Sequence, residues 1–377
     1  MTWIAGAVSR FDLTAGNSID VLHNGEQAFP AMLQAIEEAT SHLFLSSYIF
    51  ESNRSGQEFI DALARAAARG VDTRVEIDGI GERYSRPRVS RLLAQRGVTV
   101  ARFLPPRLVP PMLHINLRNH RKVLIADGRV AFTGGMNIGD RHLAARSDNP
   151  DRVVDAHFRL QGPVVAQLQR VFLDTWAFTN RQPVETFPAD ERTAGAAICR
   201  TIVDGPDEDL DKLLSVLLAA VSAARSQVAI MTPYFVPPRE LVGALKGAAL
   251  RGVEVTVIVP GRNNLPFVHW GSRHMLWELL ERGVRIYEQP PPFVHTKLFM
   301  VDRHYVQIGS ANMDPRSMRL NFELVVEIYD RGFATTIDEH FKAARRRSRE
   351  VTLDEVDGRP LPIRLRDGLC WLMTPYL

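Results

Sequence analysis

The alternation of apolar and polar positions divides the chain into two halves that carry the same series of elements. In each half, a helix with an apolar stripe (residues 29–40 and 208–225) precedes a short apolar strand, and a helix that ends in Arg-Gly follows it. A β-rich run comes next, then a second helix that ends at Gly97 or Gly283, and finally a strand, a turn and a returning strand. Strands that alternate with helices predict an α/β sandwich around a largely buried sheet.

The two halves also match segment by segment. The strongest match joins NHRKVLIADGRVAFTGGMN with VHTKLFMVDRHYVQIGSAN, and FIDALARAAARGVDTRVEIDGIG likewise matches LVGALKGAALRGVEVTVIVPGRN. Because further matched segments keep the same order, we interpret residues 1–182 and 183–377 as two copies of one α/β repeat, related by a pseudo-twofold axis. The polar, proline-containing segment 180–207 is expected to join them.

Composition and charge are those of a mildly basic globular protein. Hydrophobic residues make up 45%, charged residues 24%, and the net charge is +3, which suits an anionic membrane surface as well as nucleic acid. The two cysteines, Cys199 and Cys370, have neither a metal-binding spacing nor a disulfide pattern, which favours a reducing compartment. We expect no signal peptide, because no basic region precedes an apolar core at the N-terminus, and no transmembrane helix, because no apolar run is long enough.

Each half ends in the same set of chemical groups, built on an H-x-K-x-x-x-x-D motif. The sets are His120, Lys122, Asp127 and Asn137 in the first half, and His295, Lys297, Asp302, Ser310 and Asn312 in the second. Residues i and i+2 of a strand point to one face, so the histidine and lysine of each motif project together. Pairing the halves about a twofold axis would bring two imidazoles, two ammonium groups and two amides around one pocket, and this set of groups suits a phosphodiester.

These groups define a reaction. One histidine attacks phosphorus and forms a covalent phosphohistidine, while the other, protonated, donates to the leaving alcohol and later activates the acceptor. The lysines and the phosphate-binding residues Asn137, Asn312 and Ser310 stabilise charge on the equatorial oxygens, so no metal and no cofactor is expected. Asp127 and Asp302 complete the motif, but they lie at hairpin turns, where we expect them to hold the loop or to pair with a basic group.

With its paired motifs, the chain resembles the phospholipase D superfamily over nearly its whole length, and within it the bacterial cardiolipin synthases of the short type without spanning helices. The segments that carry the resemblance are NHRKVLIADGRVAFTGGMNIGDRH, MTPYFVPPRELVGAL and HTKLFMVDRHYVQIGSANMDPRSMRLNFEL. It implies two α/β repeats that share one site, and transfer of a phosphatidyl group in two steps through a histidine. One departure is Gly135, which stands where many relatives have serine.

The resemblance also implies individual roles. The N-terminal motif of relatives usually supplies the nucleophile, which implies His120 as nucleophile and His295 as general acid and base, with the reverse assignment left open. An acidic residue after each motif orients the catalytic histidine in relatives; Glu323 matches that position after the second motif, and Asp155 is the candidate after the first.

The implied reaction is that of a cardiolipin synthase-like phosphatidyltransferase. Such an enzyme moves a phosphatidyl group from phosphatidylglycerol, or another phospholipid, to a hydroxyl of a second phosphatidylglycerol. Hydrolysis of phospholipids, as by a phospholipase D, is the alternative, and a metal-independent nuclease or phosphodiesterase is a more distant one.

Apolar segments near the histidines favour lipid over nucleic acid. Proline-stiffened apolar loops are predicted at 103–115, 265–270 and 290–294, where a nucleic-acid channel would carry basic and aromatic residues. The C-terminal residues 361–377, with arginines of a predicted helix at 345–349, fit an interfacial membrane anchor or a tail packed on the core. We therefore expect phospholipid substrates, an anionic membrane surface as partner, no nucleic acid, and a peripheral location on the cytoplasmic face of the cell membrane. The oligomeric state is left open.

Overall fold

The structure, a computed structural model, describes residues 2–108, 111–112 and 116–374. The α-helices of these residues are α1 Thr2–Val8, α2 Asn24–Glu38, α3 Arg54–Ala68, α4 Val89–Gln95, α5 Val164–Asn180, α6 Lys212–Ala223, α7 Arg239–Leu250, α8 Pro266–Leu280, α9 Pro315–Arg319, α10 Arg331–Arg347, α11 Leu353–Asp357 and α12 Leu361–Met373. Their strands are β1 Thr14–His23, β2 His42–Ser47, β3 Asp72–Asp78, β4 Thr99–Phe103, β5 Arg107–Leu108, β6 Pro111–Met112, β7 Arg118–Asn119, β8 Val123–Ala126, β9 Val130–Gly134, β10 Val153–Val154, β11 Ala156–Gln161, β12 Ala197–Asp204, β13 Gln227–Met231, β14 Glu254–Pro260, β15 Arg285–Gln289, β16 Phe293–Val294, β17 Leu298–Val301, β18 Tyr305–Gly309, β19 Asn321–Tyr329 and β20 Arg349–Glu350.

One large mixed sheet runs through both halves and is symmetric about its centre. From the centre outward, the order is β1-β11-β9-β8-β2-β3-β4 in the first half and β12-β19-β18-β17-β13-β14-β15 in the second. The halves join where β1 pairs antiparallel with β12, with Thr14 opposite Cys199 and Asn17 opposite Ala197. Equivalent strands therefore occupy equivalent places, which confirms the predicted internal repeat and the α/β class.

Both faces of the sheet are covered, and this explains the continuous apolar runs of its parallel strands. Successive side chains of a strand point to opposite faces: Leu43 and Leu45 of β2 belong to the core that includes α2, α3 and α4, whereas Phe44 belongs to the core beneath α5. The latter core also takes in Met300 of β17 and Phe341 of α10, so the two halves share it.

The motif aspartates close the hairpins of their own halves. Asp127 and Asp302 both adopt a left-handed conformation, with φ of 53°. The carboxylate of Asp127 accepts hydrogen bonds from the backbone N–H groups of residues 40–42, just before β2, and that of Asp302 accepts from residues 225–227, just before β13. Burial would raise the pKa of each carboxyl, but the backbone donors hold it below its ordinary value. We propose that both aspartates fasten the hairpin to the neighbouring strand.

Two predictions of local structure were wrong. Residues 197–204 of the predicted join form β12, because the run AICRTIVD is largely apolar and β-branched and becomes buried at the centre of the sheet. Residues 266–270 of a predicted loop form the first turns of α8, where Pro266 occupies a position that suits a helix start. The arginines at 345–347 do end a helix, α10, but Arg349 lies in β20.

Three further predictions concern the boundaries of the repeats, the loop at 103–115 and transmembrane helices. Residues 181–196 carry no helix or strand, and we propose that the repeats are residues 1–182 and 183–377, with β12 opening the second. Of the predicted apolar loop at 103–115, residues 109–110 and 113–115 lie outside the described residues. In the part of the chain that the structure describes, no helix combines the length and the apolarity needed to cross a bilayer.

Replacing Asp127 or Asp302 by alanine is expected to destabilise the fold and to leave the reactive groups in place. Each change leaves three backbone donors without their carboxylate in a partly exposed turn, so the free energy of unfolding should fall by about 1–2 kcal/mol. Chemical denaturation measures this. Asp148→Ala is the control, since Asp148 is exposed and bonds only to local groups such as Arg146, and its effect should stay within about 0.5 kcal/mol. Turnover that falls much further than the folded fraction would show that these aspartates act in the chemistry.

Candidate active site

The histidine of the first motif is held by the second half. Strand β7, which leads into His120, pairs in parallel with β19, with Asn119 opposite Phe322. The backbone N–H of His120 donates to the carbonyl oxygen of Phe322 at 3.0 Å. The next residue of β19 is Glu323, whose carboxylate oxygens lie 2.9 and 3.1 Å from Nδ1 of His120. The strand pairing thus delivers the imidazole to a carboxylate of the other half.

The second motif repeats this arrangement in the opposite direction. Strand β10 pairs in parallel with β16, with Val154 opposite Val294, and the backbone N–H of His295 donates to the carbonyl oxygen of Val154 at 2.8 Å. Asp155 follows β10, and its Oδ2 lies 2.9 Å from Nδ1 of His295. Each half therefore supplies one histidine and the carboxylate that orients the histidine of its partner half.

The two histidines line one cavity of about 1300 Å³ between the halves. Asn137 and Asn312 line it as well, as expected from their spacing after each motif. The side-chain oxygen of Asn137 accepts from the backbone N–H of Ile49 at 3.2 Å, which leaves its amide hydrogens as donors. Because Nδ1 of each histidine is engaged by a carboxylate, Nε2 is the ring atom left to react.

The lysines lie against the histidines rather than in the cavity wall. Nζ of Lys122 donates to the carbonyl oxygen of His120 at 2.6 Å, and Nζ of Lys297 does the same to His295, 3.1 Å from both ring nitrogens. Both side chains are buried. Burial lowers the pKa of Lys122 to about 7 and that of Lys297 to about 8. Burial thus makes the ammonium form of both side chains less favourable than that of an exposed lysine.

Burial also sets the charge of the imidazoles and carboxylates. It lowers the pKa of His120, and together with Lys297 it lowers the pKa of His295 to about 4. Burial alone would raise the pKa of both carboxyls, but the histidines and lysines reverse this and bring the pKa of Asp155 to about 2 and that of Glu323 below its ordinary value. These shifts favour neutral imidazoles beside ionised carboxylates. A bound phosphodiester would bring the negative charge that favours a protonated histidine and charged lysines.

The two carboxylates are supported differently, and Ser310 takes part in this difference. Ser310 is fully buried; its hydroxyl donates to Oε2 of Glu323 at 2.5 Å and accepts from the backbone N–H of Leu324 at 3.0 Å. We therefore propose that Ser310 positions Glu323 and does not bind phosphate. At the equivalent Gly135, a Cβ atom would lie 2.8 Å from both oxygens of Asp155, so a serine at this position would collide with this carboxylate.

The structure adds cavity residues that the spacing of the motifs did not reveal. Tyr48 stands edge-on to His120, with ring centroids 5.2 Å apart, and Tyr234 lines the opposite side. Both tyrosines lie in segments that the internal repeat matched but that were interpreted only as strands. His142 accepts from the backbone N–H of Asn137 at 3.2 Å, as the hydroxyl of Ser317 does from Asn312 in the second half.

Positive charge around the cavity comes from arginines. Those that line it are Arg118, Arg141, Arg152, Arg262 and Arg316. In the described part of the chain, no three histidine, cysteine or acidic side chains are grouped to hold a metal ion.

Comparison with known proteins places these features in one family. The family model described as "Cardiolipin synthase, PLD-like domain" matches residues 32–176 and 217–345. The major cardiolipin synthase ClsA of Bacillus subtilis is 34% identical over 371 residues, which cover 97% of this chain and 76% of that protein. Cardiolipin synthase 2 of Staphylococcus epidermidis is 31% identical over 97% of this chain and 75% of its own length.

Solved structures with the same fold include enzymes of different activity. The phosphatidylserine synthase of Haemophilus influenzae superposes with a TM-score of 0.77 over 100% of this chain and 99% of that chain, at 15% identity. The polyphosphate kinase of Porphyromonas gingivalis gives a TM-score of 0.58 over 86% of this chain and 50% of that chain, also at 15% identity. At such identities the likeness concerns the fold alone.

Glu323→Gln and Asp155→Asn are each expected to lower turnover of a soluble phosphodiester by about 10²–10⁴-fold, with the fold intact. The amide can neither fix the reactive tautomer nor stabilise the imidazolium, and a comparable change in a serine protease has an effect of this size. Steady-state kinetics on a chromogenic phosphodiester measure it. The control is Glu82→Gln, since Glu82 is a buried carboxylate outside the cavity that is bonded to Ser90 and Arg102. If the Glu323 and Asp155 variants resemble this control, the carboxylates serve the fold and not the histidines.

Proposed function

Because the chain belongs to the cardiolipin synthase family of phospholipase D-like enzymes, we propose that it transfers the phosphatidyl group of one phosphatidylglycerol to a hydroxyl of a second, with cardiolipin and glycerol as products. Membership of this family confirms the predicted class, a phosphatidyltransferase of the phospholipase D type. The identity of the donor and acceptor lipids is the proposal. The observation that supports it best is the pair of histidines, each oriented by a carboxylate of the other half and both facing one cavity.

The first step forms a covalent intermediate. Nε2 of His120 attacks the phosphorus of the donor, a P–N bond forms, and the P–O bond to the glycerol headgroup breaks. The electron pair of that bond stays on the glycerol oxygen, which takes a proton from Nε2 of His295. Glu323 stabilises the positive charge that develops on His120. Glycerol then leaves as a neutral alcohol.

The second step reverses the roles. Nε2 of His295 accepts the proton of the acceptor hydroxyl, whose oxygen attacks phosphorus while the P–N bond to His120 breaks and its electron pair returns to the ring. In both steps the amides of Asn137 and Asn312 and the charge of the lysines stabilise the non-bridging oxygens. Since protein groups supply all of this charge, the proposed reaction needs no metal ion.

The reaction itself can be tested with purified protein and phosphatidylglycerol vesicles in the presence of EDTA. We expect cardiolipin and glycerol in equal amounts by mass spectrometry, and loss of both products in His120→Ala and His295→Ala. Lys122→Ala and Lys297→Ala should each lose roughly 10²–10³-fold in kcat, because the positive charge beside each histidine is lost. Lys246→Ala, a surface lysine that pairs with Glu278, is the control. Phosphatidic acid as the sole lipid product would make the protein a hydrolase; efficient cleavage of single-stranded DNA, or arrest of the chemical step by EDTA, would contradict the proposal.

A phospholipid substrate requires contact with a membrane, and α12 presents a surface suited to it. Its outward leucines recur on one face of the helix and are more than three-fifths exposed; they are Leu361 (68%), Leu365 (65%), Leu369 (65%) and Leu372 (63%). Arg364 and Arg366 lie beside this row, which we call the leucine row. An exposed apolar stripe flanked by arginines is typical of helices that lie in the interface of an anionic membrane.

The opposite face of α12 packs on α8 and leads to the active site. Asp367 is buried between Arg359 and Arg366, and Trp371 packs against His274 with ring centroids 5.4 Å apart. The helix end therefore has a fixed place, and Thr374 lines the cavity that holds the histidines. We propose that the leucine row binds the cytoplasmic face of the cell membrane and so holds the active-site cavity against the lipid. Of the predicted C-terminal anchor, Trp371 faces the protein, and residues 375–377 lie outside the described residues.

Polar substitution of the leucine row is expected to weaken membrane binding without harm to the chemistry. Leu365→Ser with Leu369→Ser should reduce co-sedimentation with phosphatidylglycerol vesicles at least tenfold, since each buried leucine contributes about 1.5–3 kcal/mol. Binding of the unaltered protein should rise with the anionic lipid fraction and fall only partly with salt. The matched control is Leu250→Ser, which changes an equally exposed leucine at the end of α7. Vesicle binding that survives the double change, or loss of turnover on a soluble phosphodiester, would contradict this role.

A further inference from the structure

The proposed reaction uses a second phosphate that the paired histidines do not account for. The leaving alcohol of the donor is an uncharged glycerol, whereas the acceptor is a glycerol that carries a phosphodiester of its own. Both alcohols must occupy the same side of the reacting phosphorus, opposite His120, because displacement at phosphorus proceeds roughly in line. Recognition of a lipid acceptor in preference to water therefore calls for a cation on the His295 side, one glycerol away from the reacting phosphate.

The two sides of the cavity differ in where their arginines stand. On the side of His120, Arg118 lies two residues before the histidine and lines the cavity. The equivalent position before His295 is Phe293, whose ring centroid lies 6.0 Å from that of His295. The position two residues before His295 is thus apolar, and the cavity-lining arginines of this side come from other strands.

That charge comes from two arginines that flank β16, the strand that delivers His295. Arg152 directly precedes β10, which pairs with one edge of β16, and at a rise of about 3.3 Å per residue its Cα lies about 7 Å along the strand from that of Val154, which binds His295. Arg262 follows β14, which contacts β16 as well. Both side chains line the cavity.

The bonding state of the two arginines leaves them able to bind an anion. One nitrogen of Arg152, Nη1, donates to the backbone oxygens of residues 147 and 149 at 2.8 and 3.4 Å, which steadies the side chain without neutralising it. Within the described residues, Arg262 is exposed and has no hydrogen-bond or ion-pair partner. Arg141, in contrast, is already paired with Glu51. Asp151 also lines the cavity, so the local excess is one positive charge, which matches one phosphodiester.

We propose that Arg152 and Arg262 form a subsite for the phosphodiester of the acceptor lipid, on the His295 side of the cavity. The subsite rests on the proposed function, and in particular on His295 as the group that activates the acceptor. It provides a physical basis for transfer to a phospholipid: the acceptor hydroxyl is brought to His295 by a charge that water and simple alcohols lack.

A competition between two acceptors tests the subsite. Protein is incubated with phosphatidylglycerol vesicles and ethanol, and cardiolipin and phosphatidylethanol are quantified together by mass spectrometry. Both products share the donor, the covalent intermediate and the membrane, and they differ only in the acceptor. Arg152→Gln with Arg262→Gln should lower the ratio of cardiolipin to phosphatidylethanol by about 10- to 100-fold, the range for lost charge-assisted hydrogen bonds, while phosphatidylethanol formation stays within about twofold.

Controls separate this role from a general effect of charge. Arg91→Gln removes an exposed arginine that lines a different groove and should leave the ratio unchanged. Arg152→Lys keeps the positive charge and should lower the ratio less than Arg152→Gln does. An unchanged ratio in the double variant, or a parallel loss of both products, would overturn the subsite. Absence of both lipid products with the unaltered protein would overturn the proposed function, and the subsite with it.

Discussion

The structure depends above all on the exchange of carboxylates between the two halves. Isolated buried charges cost several kcal/mol each, so Glu323 and Asp155, which are both buried, require partners inside the protein. Each carboxylate meets its imidazole across the join between the halves, because the histidine that meets Glu323 belongs to the first half and the histidine that meets Asp155 belongs to the second. The pairing of β7 with β19 and of β10 with β16 is therefore a condition of the fold as well as of the site.

The exchange also explains how a symmetric fold can hold two histidines for which we propose different tasks. The backbone places them alike, but Glu323 is held by the hydroxyl of Ser310, whereas a glycine at 135 makes room for the shorter Asp155. A carboxylate fixed by extra donors stabilises an imidazolium in a defined orientation, and this suits a histidine that must carry a covalent phosphoryl group through two steps. Small differences in the second layer of contacts thus distinguish sites that the repeat made equivalent.

The sequence predicted the features that repeat or keep a short fixed spacing. The matched halves, their order and the paired motifs could be identified because each depends on local spacing or on internal comparison. The carboxylates at 155 and 323 were expected only from the resemblance to relatives. The central position of β12 could not, since a strand between two halves is recognised only from its partners on both sides. The support that Ser310 gives to Glu323 and the arginines that flank β16 were missed for the same reason. They depend on strands that meet from distant parts of the chain, and no local pattern marks such meetings.

The charge balance of the cavity indicates why transfer, and not hydrolysis alone, can dominate at such a site. A phosphohistidine reacts with any hydroxyl that His295 can deprotonate, so the paired histidines by themselves do not discriminate between a lipid and water. The discrimination must come from the surroundings of His295, where the ring of Phe293 forms an apolar wall and Arg152 and Arg262 line the cavity. Both features favour binding of a lipid acceptor, because its headgroup phosphate neutralises the charge of the arginines while its glycerol lies along the apolar wall. Water can exploit neither, so the same histidines favour the phospholipid acceptor, although their own geometry is indifferent to it.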